Sequence, residues 1–368
     1  MGNKFIVTNF SYGTGPFLRT TNLALSFNEE LKKAGREKMK IIVPLVYGER
    51  QRQAMAEEFG VREEIILDEK LGKFLLDNFY ADSIYQESLK KWVENHKASS
   101  KKAREHLIST YGKNIEVELS RAPRIRYDIC PAYYTSFAFI SEILRRAGEE
   151  KEINLDKKLL QKGVEAAEWV ERNYRMHAIA YPATFSYLEK YTPKYRTEIL
   201  TPPIAPLPPE NHDLIYPGIF VTITGIPGLE RLYADAKRLG YKLYSNISDA
   251  VPESIRALPH VISNKNVLFQ FARSGWSSIW ISMIVGTPLV VPNFDPDDDP
   301  EIFFNNRSLE KLQLGVVFRG QSLEEILKDV PRVKKAYDKM NYEILNRWGT
   351  LDGNQYCAEL FANDFLNI

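Results

Sequence analysis

The sequence predicts an α/β protein built from two Rossmann-like domains, and three observations carry the prediction. The chain has 368 residues, more than one ordinary core holds and enough for two domains of usual size. It opens with strand, helix and strand patterns, the βαβ unit of a parallel sheet. A second unit of loop, helix, turn and strand lies at 271–292, beyond a proline-dense stretch, 202–209, that reads as a stiff, extended linker. The expected divisions are 1–204, 205–331, and C-terminal helices over 332–368.

Taken in order, residues 4–10 are apolar enough for a buried strand, and 11–16 form the turn that leaves it, with Gly13, Thr14 and Gly15 at its centre. A helix over 20–33 and a strand over 39–45 follow. From 49 to 113 the chain is charged and reads as helical, with Phe74, Leu75, Phe79, Ile84, Leu89, Trp92 and Val93 on one apolar face. Lys97, Lys101, Lys102 and Arg104 read as a solvated face, and contact with an anionic lipid surface is the alternative. Residues 124–131 read as another strand, and a helix is expected to open at 132–136, where Thr135 or Ser136 suits the cap. Asp128 closes that strand as an ordinary turn residue; it is also the nearest candidate for a general base in this half. A helix over 155–174 precedes a strand at 176–180, whose His177 reads as a core histidine.

After the linker, 218–224 is a strand and 225–228 a glycine-rich loop, Gly-Ile-Pro-Gly, opening the next helix. The 271–292 unit repeats this logic with a clearer signal. Small residues from Ser274 to Ser278 suit a tight loop, because Gly275 tolerates unusual backbone angles and serines cap free amides. The helix they open presents a positive end, which holds phosphate. Gly286 and Pro288 stop that helix, and 289–291 is a buried strand. The polar loop 293–301 then falls at the strand's carboxyl end, where open α/β sheets bind ligands.

The order of these pieces, 274–278, then Gly286-Thr287-Pro288, the strand at 289–292, Asp299-Pro300-Glu301, Asn305 and Leu314-Gly315, resembles the donor-binding half of GT-B glycosyltransferases. It is most similar to the UDP-glycosyltransferases and to the peptidoglycan N-acetylglucosaminyltransferase that makes the lipid-linked disaccharide. The resemblance implies two domains facing a cleft and transfer of a hexosyl or N-acetylhexosaminyl group from a nucleotide-sugar, UDP-linked, with no further cofactor and no metal. It places the donor diphosphate at Gly225, Gly228, Arg273, Ser274, Gly275, Ser277 and Ser278, and the donor sugar at Asp299, Glu301 and Asn305. The acceptor, a lipid, a glycan or a small molecule, is expected against Gly13, Thr14, Gly15, Arg19, Tyr133, Tyr134, Thr135 and Ser136. Three departures stand out: Phe17 occupies the place of a histidine that some members use as base, Ile281 that of a ribose-binding glutamate, and Glu301 that of a sugar-contacting glutamine. An aliphatic side chain accepts no hydrogen bond from ribose. A non-catalytic partner of the same fold, or a sugar-nucleotide epimerase or hydrolase, is the alternative.

Composition limits the rest. With 49 basic and 48 acidic residues there is no global charge to draw nucleic acid. Cys130 and Cys357 stand at no motif spacing, so reduced buried thiols are expected. The run Asp297-Asp298-Asp299 matches acidic metal motifs only superficially, although its oxygens would suit magnesium. No signal peptide or membrane-spanning run is evident, and a cytoplasmic protein, with peripheral contact to the inner membrane face as the alternative, is the expectation.

Overall fold

The structure, a computed structural model, describes residues 3–11, 13–79, 84–188 and 192–367. Two parallel sheets organise it. The first contains β1 (Phe5–Phe10), β2 (Lys40–Pro44), β3 (Ile65–Asp68), β4 (Ile115–Arg121), β5 (Ala132–Ser136), β6 (Met176–Ala180) and β7 (Glu198–Thr201), in the order β3-β2-β1-β4-β5-β6-β7. Its helices are α1 (Thr14–Lys33), α2 (Gly48–Phe59), α3 (Glu69–Phe79), α4 (Tyr85–Tyr111), α5 (Ile140–Ala147) and α6 (Lys157–Glu171). The second sheet contains β8 (Gly218–Val221), β9 (Lys242–Ser245), β10 (Ile255–Arg256), β11 (Val267–Phe271), β12 (Leu289–Pro292) and β13 (Val316–Phe318), in the order β10-β9-β8-β11-β12-β13. Around it lie α7 (Leu229–Arg238), α8 (Trp276–Val285), α9 (Pro300–Lys311) and α10 (Leu323–Trp348), and the chain ends in α11 (Gly353–Leu366).

Every strand pair is parallel, and the central strands are buried on both faces, as parallel sheets require. In each sheet the strand order reverses beside the first strand, between β1 and β4 and between β8 and β11. These are the switch points at whose carboxyl ends open α/β sheets bind ligands.

Four local expectations fail. The stretch 124–131 is not a strand, because Ala122 (φ 44°) and Asp128 (φ 52°) turn the backbone out of the extended region. Its polar groups go elsewhere: Asn9 donates to the Ile125 carbonyl at 2.9 Å, and the Arg126 amide donates to Ser100 Oγ at 3.2 Å. The expected helix start at 132–136 is instead β5, hydrogen-bonded between β4 and β6. The charged 49–113 region is broken by β3, and α1 starts at Thr14, earlier than the expected 20. Helix α10 runs through Pro331 without a break.

The last helix crosses back to the first sheet. Asn354 Nδ2 donates to Asn22 Oδ1 at 2.6 Å, and Tyr133 stacks on Phe361 with centroids 4.8 Å apart. Gly353 makes this return possible, because a Cβ there would lie 2.4 Å from the carbonyl oxygens of both Pro202 and Pro203. Its own amide donates to the Pro203 carbonyl at 3.0 Å.

Candidate functional site

The carboxyl ends of the two sheets enclose a cavity of about 530 Å³. From the first domain it is lined by Ser11, Gly15 and Pro16 after β1, by Arg121, Ala122 and Arg124 after β4, and by an apolar wall of Phe79, Ile84, Tyr85, Phe137, Ile140 and Ile143. The second domain contributes Arg273, Gly275, Trp276, Ser277 and Ser278 at the start of α8, and Asp298, Asp299, Glu301 and Ile302 at the start of α9. The cavity is thus apolar on one wall and charged on the other.

Helix α8 explains its own orientation. Gly275 at its N-cap carries no side chain and no side chain caps the helix, so its first turn opens into the cavity with amide donors free of a cap. A Cβ at Gly275 would meet nothing within 4 Å. Two turns of the helix are pinned across the domain boundary by buried indoles. Trp276 Nε1 donates to Thr184 Oγ1 at 2.9 Å and to Asn305 Oδ1 at 2.8 Å, and Trp280 Nε1 donates to the Pro182 carbonyl at 2.8 Å.

Arg121, at the end of β4, reaches the same place from the other domain. It is 6% exposed, its Nη1 donates to the Ile204 carbonyl at 3.0 Å and its Nη2 to Ser277 Oγ at 3.3 Å. Burial, with Arg19 pushing the same way, pulls its pKa down to about 10. Sequence reasoning missed this residue because 114–123, between the charged helical region and the strand expected at 124–131, was assigned no element. The signal was present in the alternation of Ile115, Val117 and Leu119 with polar neighbours, the period of a strand.

Glu301 is a carboxyl of the cavity lining held well above the usual carboxylate range. Burial, reinforced by the neighbouring Asp299 carboxylate, pushes its pKa up to about 8, while Asn305 Nδ2 donates to its Oε1 at 3.2 Å. The other acidic residues of this loop have separate tasks. Asp297 accepts from Asn154 Nδ2 at 2.8 Å, Asp298 engages Arg273, and Asp299 caps α9 by accepting from the Glu301 amide at 2.9 Å. Among the described residues no group of three or more His, Cys, Asp or Glu is placed to hold a metal ion. No described helix is long and apolar enough to cross a membrane.

Of the residues expected at the donor diphosphate, Arg273, Gly275, Ser277 and Ser278 line the cavity together. Ser274 is fully buried beneath them, and Gly225 and Gly228 lie in the loop after β8, outside the cavity lining. Of those expected at the donor sugar, Asp299 and Glu301 line the cavity. Asn305 does not: it is fully buried, and besides Glu301 and Trp276 it binds the Ser274 carbonyl at 2.8 Å and accepts from Thr184 Oγ1 at 2.9 Å. It holds the site up from below.

The acceptor expectations need the larger correction. Gly15 lines the cavity, and Gly13 (φ 98°) precedes α1 with its amide donating to Tyr47 Oη at 3.1 Å. Thr14 begins α1, and Arg19 is spent on Glu58 at 2.9 Å. Tyr133, Tyr134, Thr135 and Ser136 are strand residues buried in the first domain. Tyr133 Oη donates to Asp364 at 2.7 Å, Tyr134 stacks on Phe139, Thr135 donates to the Ser120 carbonyl at 2.9 Å and Ser136 to the Ala138 carbonyl at 2.6 Å. Asp128 lies outside the cavity lining and is held by Arg104 at 2.7 Å and Arg126 at 2.9 Å, so it is no base for this site. His177 is a core histidine: burial lowers its pKa to about 4, and its two ring nitrogens lie 2.7 Å from Thr197 Oγ1 and 2.8 Å from the Glu171 carbonyl.

Two facing Rossmann-like sheets, each ending at a shared cleft and followed by a helix that returns to the first domain, make up the GT-B fold. No family model and no curated protein matches the chain by sequence. Solved structures match it along its whole length. A UDP-glucosyltransferase from Polygonum tinctorium, in complex with 3,4-dichloroaniline, aligns with a TM-score of 0.64 at 10% identity over 99% of both chains. TcCGT1 in complex with UDP aligns at 0.64 and 12% identity over 100% of both. UGT2 of Phytolacca americana, with UDP-2-fluoro-glucose and pterostilbene, aligns at 0.61 and 10% identity, covering 99% of this chain and 100% of that one. At such identities the likeness is one of fold.

Proposed function

We propose that the protein transfers a sugar, hexosyl or N-acetylhexosaminyl, from a UDP-linked donor to an acceptor in the interdomain cleft. One observation carries this: the uncapped start of α8 opens into a cavity formed by the carboxyl ends of both parallel sheets. Backbone amides there, with Gly275, Ser277, Ser278 and Arg273, are suited to the charge that grows on a departing diphosphate. Asp299 and Glu301 face the sugar, and the apolar wall of the first domain favours an acceptor with an apolar body. Two of the similar structures are complexes with small apolar molecules, pterostilbene and 3,4-dichloroaniline, which accords with that wall.

In this reading the acceptor hydroxyl gives its proton to the Glu301 carboxylate, and its oxygen bonds to the anomeric carbon. The bond from that carbon to the diphosphate breaks, and its electron pair leaves with the diphosphate. A carboxyl raised towards neutral pH is matched to such a transfer, and Asn305 orients it.

A second reading, a sugar-nucleotide-binding protein without chemistry, is favoured by Phe17. This residue is fully buried, edge-on to Phe10, and supplies no proton acceptor beside the cleft. A thermal-shift screen of nucleotides and UDP-sugars followed by product analysis separates the readings, since a ligand at one hundred times its Kd stabilises by about 2.7 kcal/mol. A glycoside product supports transfer, free sugar or an epimer supports hydrolysis or epimerisation, and binding with no product supports the second reading. No response to any nucleotide defeats all of them.

A further inference from the structure

Arg121 is a buried cation that makes no ion pair with a carboxylate among the described residues, Glu301 acting on it only at longer range. Its guanidinium contacts a carbonyl, a hydroxyl and the face of Trp280, 5.7 Å from the ring centroid. Taking a charge out of water costs several kcal/mol unless an opposite charge meets it. The costly site is retained at a particular place: the end of β4 at the switch point, lining the cavity, with Ser277 of the uncapped α8 start as its neighbour across the domain boundary. The backbone is bent there too, since Ala122 holds a positive φ of 44° immediately after it. Bends of that kind in a non-glycine residue persist where the surroundings impose them, and they gather at ligand sites.

We infer that the missing counter-ion of Arg121 is the ligand's own diphosphate, so that a first-domain arginine and the second-domain helix start clamp one dianionic group between them. This rests on the nucleotide-sugar reading above and adds to it. The phosphate site is not complete in the second domain alone; it is assembled only when the domains are together. The clamp requires a ligand with two adjoining phosphates, because a nucleoside offers no charge and a monophosphate only one phosphate to share between the two sides. The planar fork of arginine matches phosphate oxygens in a way that a lysine ammonium does not.

Calorimetry on the full chain with UDP, UMP, uridine and inorganic pyrophosphate tests this, using the wild type, Arg121→Gln, Arg121→Lys and Arg121→Met. Losing a charged hydrogen bond is expected to weaken UDP and pyrophosphate about 10- to 100-fold in Arg121→Gln and Arg121→Met, while any uridine affinity stays the same. Arg121→Lys is expected to fall between them and the wild type. Thermal melts of the empty protein provide the second readout: removal of an uncompensated buried charge leaves the melting temperature unchanged or raised, whereas a structural arginine would lower it. Unchanged UDP affinity in a folded Arg121→Gln or Arg121→Met overturns the clamp. If the wild type binds pyrophosphate through Arg121 but no uridine compound, the nucleotide reading falls and the clamp stands. If the wild type binds none of the phosphates, the clamp falls as well.

Discussion

Asn305 Nδ2 donates to the Ser274 carbonyl at 2.8 Å, and through this one amide the acidic end of α9 supports the phosphate-facing start of α8. The same side chain accepts from Trp276 and Thr184 and donates to Glu301. Asn305→Ala leaves several buried groups unsatisfied, and denaturant unfolding is expected to show a loss of about 1–3 kcal/mol. Asn305→Asp keeps the acceptor for Trp276 but loses the donor to Ser274, so UDP affinity is expected to fall more than its packing contacts alone would suggest.

Gly275→Asp separates folding from binding. The added Cβ has open space and φ is −69°, so neither clash nor strain arises. A carboxylate at an N-cap also favours the helix. The melting temperature is therefore expected to hold, while UDP affinity measured by calorimetry falls at least about tenfold through direct repulsion. Unchanged affinity would move the phosphate site elsewhere.

Ile281→Glu tests the position where a ribose-binding glutamate was expected from the resemblance. Ile281 is half-buried and packs against the cluster of Phe220, Tyr244, Val261, Ile262 and Val267. A carboxylate there is expected to cost about 1–3 kcal/mol with no gain in nucleotide affinity. Tighter UDP binding without loss of stability would show that this face of α8 meets the ribose.

Glu301→Gln keeps an amide oxygen for hydrogen bonding and loses proton exchange. Its carboxyl must ionise to act as base, and its pKa stands at about 8, so the wild-type turnover is expected to rise with pH and level off above that value. In the variant the rise disappears and turnover falls about 10²- to 10⁴-fold with KM little changed. A variant as active as the wild type would remove Glu301 from the chemistry.

Glu118 gives a stability test away from the cleft. Burial raises its pKa from 4.5 to about 7, against the lowering effect of hydrogen bonds from Ser120 at 2.7 Å and Asn9 at 2.8 Å. Between those two values the folded chain keeps a proton that the unfolded chain has released, so this group's contribution makes stability fall as pH rises from 4.5 to about 7 and then level off. Glu118→Gln is expected to flatten that part of the unfolding profile, and an unaltered slope would assign it to other groups.

The strands with uninterrupted apolar runs were legible in the sequence, as was the α8–β12 unit. The helix expected from 278 to 286 is observed at Trp276–Val285, with Gly286 in the left-handed region at φ 76° closing it. What escaped has one cause: its pattern depends on partners distant in the chain. β4 carries Glu118 in its middle, which reads as surface until Asn9, 109 residues away, is seen donating to it. Tyr133 looked like a cleft residue because its hydroxyl partner, Asp364, lies 231 positions further on. Asn305 was expected at the donor sugar and lies instead buried beneath the cavity lining, since nothing local distinguishes an amide that touches a sugar from one that holds a loop.

The bond from the Gly353 amide to the Pro203 carbonyl joins the outgoing and returning crossings of the chain. Fastened there, the two crossings add one more tie between the domains to those that Trp276 and Trp280 make with Thr184 and the Pro182 carbonyl. A protease cut in the 205–217 segment would nick the chain without releasing its halves, because α11 would still hold the second half to the first.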